Sequence, residues 1–344
     1  MKVIIASSFK KNSGIWRYAF ELNKRFKANG VDVQWLDLYH NKKHVRAMEL
    51  LRPPRTQCDV LILTSPLLCK LLDNTSAKFT VVIVHDLYPL TVGAGSSRAV
   101  RLITSHTYKK ADKASLIAFI SEFSRQEFSR VFKNPKKWII LSGGIDHDIF
   151  RPVSKKERKK MRDKMGVGLK SLVLCSVGTD EKRKNLTFAI RVMKLLSGMG
   201  QDVRMMRVGK ISRKTKKLAK QLQLEDKIIL FSSVTDKELA EIYSASDFLL
   251  FPSLYEGLGL PPAEAMACGC PAIVSNKTSL TEVGIRECIL PLDESVWAEK
   301  ILKIYSNKTL RNKIMRSGLE KSRQFDWDDY FKKLSAVIKD AIMP

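Results

Sequence analysis

Two glutamates and a run of glycines supply the clearest chemistry in this sequence, within residues 251–271 (FPSLYEGLGLPPAEAMACGCP). Glu256 lies in a loop after an apolar run, and Glu264 is separated from it by seven residues, in the first turn of a predicted helix. Between them, Gly257 and Gly259 let backbone amides approach a ligand closely, and a helix N-terminus offers N–H groups to an anion. The helix dipole alone would also favour a first-turn carboxylate. Both glutamates on one glycine loop nevertheless indicate a ligand site.

A cationic loop forms the second candidate, in the segment VGTDEKRKNL at residues 177–186. The loop follows a predicted buried strand, and ligands bind outside the carboxyl ends of the strands in open parallel sheets. Without a metal ion, fixed Arg and Lys side chains must neutralise the charge that develops on a departing phosphate group. We therefore expect Arg183 and Lys184 to bind phosphate, and Lys182 to face solvent.

The first third of the chain adds three candidates. Gly14 lies between a predicted strand and a predicted helix, where it allows close approach of a phosphate or an acceptor to the backbone. His85 and Asp86 directly follow the apolar run of residues 80–84, so both are expected at the carboxyl end of a strand. A lone histidine is often structural, but the position of this one favours a functional role.

Apolar, β-branched runs alternate with runs of helical spacing, which is typical of a parallel sheet covered on both faces. The predicted strands cover residues 2–6, 31–36, 59–63, 80–84, 116–120, 138–141, 172–177, 203–208, 228–231, 248–251 and 272–274. The predicted helices cover residues 15–27, 125–131, 186–197, 213–222, 236–245, 262–268 and 327–342. The pattern restarts after a basic stretch that begins at Ser154, which indicates two units in tandem.

The sequence therefore predicts an α/β protein with two facing, Rossmann-like, doubly wound parallel-sheet domains. We place the N-terminal domain at residues 1–152 and the C-terminal domain at residues 153–322, with a hinge near residues 150–154. The remaining residues, 323–344, contain an amphipathic helix that needs a surface to pack on. We expect this helix to cross back to the N-terminal domain.

Composition limits the partners and the compartment. The 61 Lys and Arg residues against 35 Asp and Glu residues give a formal charge of +26, which attracts nucleic acid, anionic membrane or phosphate-bearing substrates alike. Six cysteines, with no histidine beside the closest pair, do not suggest a metal site or a disulfide framework. No apolar run approaches the ~20 residues that cross a bilayer. We expect a cytoplasmic protein.

The segment from Glu256 to Glu264 resembles the Glu–seven residues–Glu signature of glycosyltransferase family 4. The resemblance extends over nearly the whole chain and is strongest from Ser171 to Glu282. It implies a GT-B fold, a nucleotide-sugar donor, retention of the anomeric configuration and no bound metal. Family members often have Phe where this chain has Leu258, and some have Arg where it has Thr179.

The same resemblance assigns roles to particular residues. It implies that Glu256 holds sugar hydroxyls near the reacting carbon and that Glu264 accepts hydrogen bonds from the nucleotide ribose. Backbone N–H groups of Gly257, Leu258, Gly259 and Leu260 would lie near the sugar and the diphosphate. Arg183 and Lys184 would contact the donor phosphates, and His85 would lie beside the donor sugar. The predicted catalytic residues are His85, Lys184 and Glu256. Weaker candidates are Asp86, Thr179 and Glu282.

The functional prediction is a retaining hexosyltransferase that needs no cofactor beyond its co-substrate. The first choice of donor is GDP-mannose, with a UDP-sugar next, and the acceptor is a saccharide or a lipid-linked hydroxyl. Two alternatives stay open: a basic nucleic-acid-binding protein, and a GT-B relative such as a nucleotide-sugar epimerase or a sugar phosphorylase. No aromatic-basic RNA platform or reading-helix module is present, so specific nucleic-acid binding is not expected.

A dinucleotide enzyme is disfavoured, because no G-x-G-x-x-G follows a predicted strand; Gly93-Ala-Gly95-Ser-Ser-Arg98 lacks the third glycine. A further hypothesis is peripheral attachment to the inner face of an anionic membrane. It rests on basic residues of one predicted helical stretch. They are Arg98, Arg101, Lys109, Lys110 and Lys113.

Overall fold

The computed structural model describes residues 1–11, 13–39, 55–92 and 98–342, without the side chains of Ala99 and Val100. Most of the glycine-containing stretch at 93–98 therefore lies outside the described residues. The chain divides into two compact units. We call Met1–Gly143 with Trp327–Pro344 the N-terminal unit, and Gly144–Asp326 the C-terminal unit.

The N-terminal unit contains one parallel six-stranded sheet, in the order β2-β1-β3-β4-β5-β6. Its strands are β1 (Lys2–Ser7), β2 (Asp32–Asp37), β3 (Thr56–Leu63), β4 (Thr75–Val84), β5 (Leu116–Phe119) and β6 (Trp138–Ile140). In the described residues before residue 144, the helices are α1 (Gly14–Ala28), α2 (Leu71–Asn74), α3 (Tyr88–Thr91), α4 (Arg98–Lys109) and α5 (Glu122–Val131). The central strands are covered on both faces, as their continuous apolar runs predict.

The C-terminal unit contains a second parallel six-stranded sheet, in the order β12-β11-β10-β7-β8-β9. Its strands are β7 (Leu172–Val177), β8 (Val203–Val208), β9 (Ile228–Phe231), β10 (Phe248–Phe251), β11 (Ala272–Ser275) and β12 (Ile289–Leu290). Its helices are α6 (Lys155–Lys164), α7 (Leu186–Gly198), α8 (Arg213–Gln221), α9 (Asp236–Ala245), α10 (Leu260–Ala267), α11 (Leu280–Val283), α12 (Glu294–Ser306) and α13 (Lys308–Ser322). The strand order reverses at β7 and β10, and the loops after these two strands carry the predicted phosphate and sugar residues.

The final helix, α14 (Trp327–Ile342), packs within the N-terminal unit, as predicted. Its apolar face meets α1: the ring centroids of Trp327 and Tyr18 are 4.9 Å apart, and those of Phe331 and Phe26 are also 4.9 Å apart. Burial of aromatic side chains of this size removes a large apolar area from water, which stabilises the packing. The amphipathic pattern of the last residues is thereby explained.

The division between the units differs from the predicted bounds at both crossings. The first lies between Gly143 and Gly144 rather than after residue 152, because Ile145 N–H donates to the carbonyl oxygen of Phe325 at 3.1 Å within the C-terminal unit. The ring of Phe150 also lies 6.2 Å from that of Tyr243 in the same unit. The second crossing is at Asp326–Trp327 for the same reason, since Phe325 pairs with the segment after Gly144.

One buried carboxylate fixes two helices to the start of β10. Asp247, whose side chain is 2% exposed, accepts from Arg158 at 2.8 Å and from Arg311 at 2.8 Å, and Arg162 lies 3.5 Å away. Arg162 also donates to the carbonyl oxygen of Ser171 at 2.6 Å. Because a buried charge without partners is costly, these contacts tie α6 and α13 to the sheet.

All six cysteines are free thiols, and each of them is buried. None of the helices in the described part of the chain combines the length and the apolar character that a membrane crossing requires.

Candidate functional site

The loop after β7 presents its cations on a short turn. Gly178 has φ +123°, a conformation that L side chains rarely adopt, and it turns the chain away from the strand. Lys182–Lys184 then forms a single 3-10 turn, and Asn185 enters α7 with φ 53°. This geometry displays three consecutive basic residues at the carboxyl end of β7, of which Lys182 is exposed, as predicted.

Residues from the two predicted segments meet in one cluster. Lys184 Nζ lies 2.6 Å from Glu256 Oε1, and Arg183 Nη1 lies 3.4 Å from Glu256 Oε2. Arg183 Nε also donates to Glu181 Oε2 at 2.8 Å. Lys184 Nζ is 5.2 Å from the centre of the Phe251 ring, within reach of a cation–π interaction. We call Arg183, Lys184 and Glu256 the ion cluster.

Burial changes the electrostatics of the ion cluster. The side chains of Lys184 and Glu256 are 16% and 7% exposed. Desolvation lowers the pKa of Lys184 below its usual value, and the opposing attraction of Glu256 recovers only part of that change. An additional anion beside Lys184 would favour its charged form, so the cluster is suited to receive a phosphate group.

The loop that carries Glu256 is fixed by the segment after β11. The backbone N–H of Glu256 donates to Thr278 Oγ1 at 3.0 Å, and the Ser279 hydroxyl donates to the carbonyl oxygens of Glu256 at 2.9 Å and Leu258 at 3.1 Å. Gly259 has φ +89°, and a Cβ there would lie 2.8 Å from Leu280 Cδ2. The loop therefore needs glycine at that position and two hydroxyl residues to hold its shape.

Glu264 has a different environment from Glu256. It is buried in α10, and Glu264 Oε2 accepts a hydrogen bond of 3.1 Å from the hydroxyl of Tyr243 on α9. The helix N-terminus is also poorer in donors than expected, since Pro261 and Pro262 in its first turn have no N–H. The ribose-binding role of Glu264 stays a prediction, and Tyr243 is a partner that the sequence did not reveal.

The weaker candidates of this unit lie at its surface. Thr179 is exposed and donates to Glu181 Oε1 at 2.9 Å, so its hydroxyl faces the carboxylate that also binds Arg183. Glu282 is partly buried on α11. Burial lowers the pKa of Lys321, and the charge of Glu282 opposes this change only in part. Neither residue belongs to the ion cluster.

In the N-terminal unit, His85 is buried at the end of β4. Its Nε2 lies 2.9 Å from the carbonyl oxygen of Thr64, its ring centroid is 4.6 Å from that of Tyr18, and its own carbonyl oxygen accepts from Ser124 Oγ at 2.7 Å. Asp86 Oδ1 accepts from the backbone N–H of Tyr88 at 3.1 Å, at the start of α3. Asp86 thus has a structural role that the sequence did not suggest.

The surroundings of His85 select one protonation state. Burial lowers the pKa of His85 to about 4, although the hydrogen bond to Thr64 acts in the opposite direction. The ring is therefore neutral at neutral pH. Because a carbonyl oxygen only accepts, Nε2 carries the proton and Nδ1 keeps its lone pair. His85 can thus accept a hydrogen bond from a hydroxyl group through Nδ1.

Gly14 is the first residue of α1, which is capped by Ser13: Ser13 Oγ accepts from the N–H of Trp16 at 3.2 Å. A Cβ at Gly14 would meet no atom within 4 Å. The protein itself therefore does not require glycine at this position. Ser121 similarly caps α5 by accepting from the N–H of Ser124 at 3.0 Å.

The described residues contain no group of three or more His, Cys, Asp or Glu side chains arranged to hold a metal ion. Thr278, Ser279 and Tyr243 are the contributors that sequence reasoning missed. The one available signal was the presence of hydroxyl residues directly after β11.

Residues 157–321 match the family model described as glycosyl transferases group 1. The chain is also 30% identical over 247 residues to the O-antigen chain mannosyltransferase B of Escherichia coli. That match covers 67% of this chain and 62% of the relative, so the chain spans less than two thirds of the relative's length.

Two solved structures resemble the whole chain. The sucrose-phosphate synthase of Thermosynechococcus elongatus has a TM-score of 0.81 and 17% identity, covering 98% of both chains. The Anabaena protein HepE in complex with UDP-glucose has a TM-score of 0.79 and 14% identity, covering 99% of this chain and 100% of that chain. These likenesses show the fold, which is of the GT-B class predicted from the sequence.

Proposed function

Since the chain belongs to the group 1 glycosyl transferases through residues 157–321, we propose that it is a retaining hexosyltransferase that uses a nucleotide diphosphate sugar. The observation that carries the proposal is the ion cluster. Two cations are held at the carboxyl end of β7, against a carboxylate on the loop after β10. Cations bind a diphosphate and a carboxylate binds sugar hydroxyls, so one cluster accounts for both halves of the donor.

The proposed reaction needs no protein nucleophile. The C1–O bond to the diphosphate breaks and its electron pair leaves with the phosphate oxygen, while Arg183 and Lys184 neutralise the developing charge. The acceptor hydroxyl attacks C1 on the same face of an oxocarbenium-like sugar. Its proton passes to the departing phosphate oxygen. The anomeric configuration is therefore retained, and atoms and charges balance.

Side-chain acceptors and backbone N–H donors would bind the remaining parts of the substrates. Glu256 would accept from sugar hydroxyls, and within the N-terminal unit the Nδ1 of His85 could accept from a hydroxyl group of a bound ligand. The 257–260 loop would lie along the diphosphate, and Glu264 would accept from the ribose. Gly14, which is open to solvent, would allow an acceptor or a phosphate to approach the start of α1.

The donor is proposed on the basis of the relatives. GDP-mannose comes first because one relative is a mannosyltransferase, and a UDP-sugar comes second because a neighbour in fold was solved with UDP-glucose. The proposed acceptor is a saccharide or a lipid-linked hydroxyl, since that relative is named an O-antigen chain mannosyltransferase.

A thermal-shift screen followed by a turnover assay tests this function. GDP-mannose or a UDP-sugar at about 100 times its Kd should stabilise the protein by about 2.7 kcal/mol. Transfer to an acceptor, or slow hydrolysis of the donor, should then persist in excess EDTA with the α-configuration of the donor preserved. Loss of turnover in EDTA, restored by Mg²⁺, would contradict the metal-independent mechanism.

Other outcomes of the same assays identify the alternatives. Epimerised donor without transfer would indicate an epimerase, and sugar phosphate formed from inorganic phosphate would indicate a phosphorylase. Tight, salt-dependent binding of oligonucleotides without any binding of nucleotide sugars would indicate a nucleic-acid-binding protein.

We also propose that α4 attaches the protein to an anionic lipid surface. Leu102 and Ile103 are 71% and 63% exposed, next to the exposed cations Arg98 and Arg101. Apolar side chains flanked by cations favour the interface of an anionic bilayer. Of the other predicted cations, Lys110 and Lys113 contribute less, since both are paired with Asp73.

Flotation with liposomes tests the attachment. The protein should float with vesicles that contain phosphatidylglycerol and not with pure phosphatidylcholine, and the double variant Leu102→Gln, Ile103→Gln should lose this binding. Leu230→Gln, at a position that is 50% exposed on β9, serves as the control and should still float. Equal behaviour with both kinds of vesicle would remove the proposal.

A further inference from the structure

We propose that Arg207 is a positioning residue that holds the loop after β7, residues 178–184, in the conformation that brings Arg183 and Lys184 to Glu256. The inference deepens the proposed function, and its importance for donor binding rests on that function. Arg207 lies on β8 in the interior of the C-terminal unit and is 1% exposed. It therefore acts through the loop rather than by touching a donor.

The guanidinium of Arg207 reaches the first residue of the loop. Arg207 is paired with Ser176 across β8 and β7, and Nη1 donates to Ser176 Oγ at 3.1 Å. Nη2 donates to the carbonyl oxygen of Gly178 at 2.6 Å. The charged donor thus holds the peptide at which the chain leaves the strand, and hydrogen bonds from charged groups are stronger than neutral ones.

Two further contacts join the loop after β7 to the end of β8 and to the loop that follows it. The N–H of Gly178 donates to the carbonyl oxygen of Val208 at 3.0 Å, and the N–H of Ser212 donates to Asp180 Oδ2 at 2.7 Å. A Cβ at Gly209 would lie only 2.1 Å from the oxygen of Gly178. The oxygen that accepts from Arg207 is therefore enclosed between two backbone segments and cannot move far.

Burial of the charged guanidinium of Arg207 costs free energy, so we infer that the charge is needed for the contacts that it makes. Burial lowers its pKa, opposed by the charge of Asp180, and its Nε has no hydrogen-bond partner among the described residues. An apolar side chain in this strand would avoid that desolvation cost. The two strong hydrogen bonds of Arg207 both go to the end of β7, which is where the cationic loop begins.

The loop transmits this position to the ion cluster through a short chain of contacts. Thr179 and Arg183 both donate to Glu181, at 2.9 and 2.8 Å. The carbonyl oxygen of Arg183 accepts from the N–H of Leu254 at 2.7 Å, which fixes the turn against the loop that carries Glu256. If Gly178 moves, this turn loses its anchor on the strand side.

The test compares Arg207→Met and Arg207→Lys with Arg162→Met, which removes another buried arginine of the same unit. Hydrogen exchange is followed in the peptide that spans residues 178–185, and the affinities for GDP and UDP are measured by calorimetry. Arg207→Met should accelerate exchange in this peptide and weaken nucleoside diphosphate binding about tenfold, as expected for the loss of a charged hydrogen bond. Arg207→Lys should have intermediate effects on hydrogen exchange and on nucleoside diphosphate affinity.

Arg162→Met should lower the melting temperature without either effect, because its contacts lie with Asp247 and Ser171. Unchanged exchange in Arg207→Met, or equal changes in Arg162→Met, would overturn the proposal. Should Arg207→Met fail to fold, Arg207→Lys decides the same question. If the wild-type protein binds no nucleotide, the proposed function fails, whereas faster exchange in the variants would still support the positioning role.

Discussion

The Lys184→Met variant is expected to turn over donor sugar about 10²- to 10³-fold more slowly than the wild-type protein, the range typical of removing one fixed donor to a developing oxyanion. Lys184 is the most buried cation of the loop after β7, and its ammonium group is held 2.6 Å from Glu256 Oε1. Methionine is of similar length and removes the charge alone. The loss should appear mainly in kcat, because the charge on the leaving diphosphate grows in the transition state.

Lys182→Met is the matched control for Lys184→Met. It removes the same charge from the same turn, but the side chain of Lys182 is exposed. Its turnover should stay within a small factor of wild type. Equal losses in both variants would mean that net charge, rather than the position of Lys184, determines the rate. Near-normal turnover in Lys184→Met would contradict the assignment of the leaving-group site.

The pH dependence of activity is an independent test of the role of the charge on Lys184. Burial lowers its pKa, so the ammonium group loses its proton at a lower pH than an ordinary lysine as the pH rises. The value of kcat/KM, which reports the pKa values of the free enzyme, should therefore fall on the alkaline side, at a pH below the usual lysine range. Lys184→Arg keeps the charge to much higher pH, and its residual activity should not show this decline.

Much of the fold followed from the sequence because buried parallel strands need long apolar runs. Leu172–Val177, Val203–Val208, Ile228–Phe231 and Phe248–Phe251 have the bounds that the runs predicted. The two-residue strand β12 was missed, since Ile289–Leu290 is too short to give a pattern. Helices α12 and α13 were also missed, although both have buried positions at helical spacing.

For the candidate site, the sequence indicated individual residues but not the contacts between them. Glu256, Arg183 and Lys184 could be found because they lie in loops at strand ends, which is where parallel sheets place ligands. Their pairing could not be found, because it joins residues more than seventy positions apart. Arg207 gave one weak signal, a basic residue in a strand that otherwise contains valine, methionine and one further arginine, Arg204. Its contact with Gly178 depends on the register of β7 and β8, which only the structure provides.

The Glu256→Gln variant is expected to separate catalysis from nucleotide binding. Glutamine keeps the size of the side chain and removes the charge that neutralises Lys184 and Arg183. Turnover should fall about 10²-fold, because an interaction with the reacting sugar is weakened. Affinity for free UDP or GDP should instead rise several-fold, because the two cations no longer share their charge with a carboxylate. Lys184→Met should have the opposite effect on nucleotide affinity.

The free energy of unfolding of Glu256→Gln is a second test of the role of Glu256. Glu256 is 7% exposed on its side chain, so its replacement leaves a partly buried ammonium group without its closest counter-charge. The ligand-free Glu256→Gln protein should lose about 2 kcal/mol of unfolding free energy. UDP or GDP should restore more stability to it than to the wild-type protein, since a diphosphate supplies the missing negative charge. Glu294→Gln, which breaks an exposed pair with Arg191, is the control and should change neither quantity. A fall in nucleotide affinity in Glu256→Gln would show that the carboxylate supports phosphate binding, against the mechanism proposed for the ion cluster.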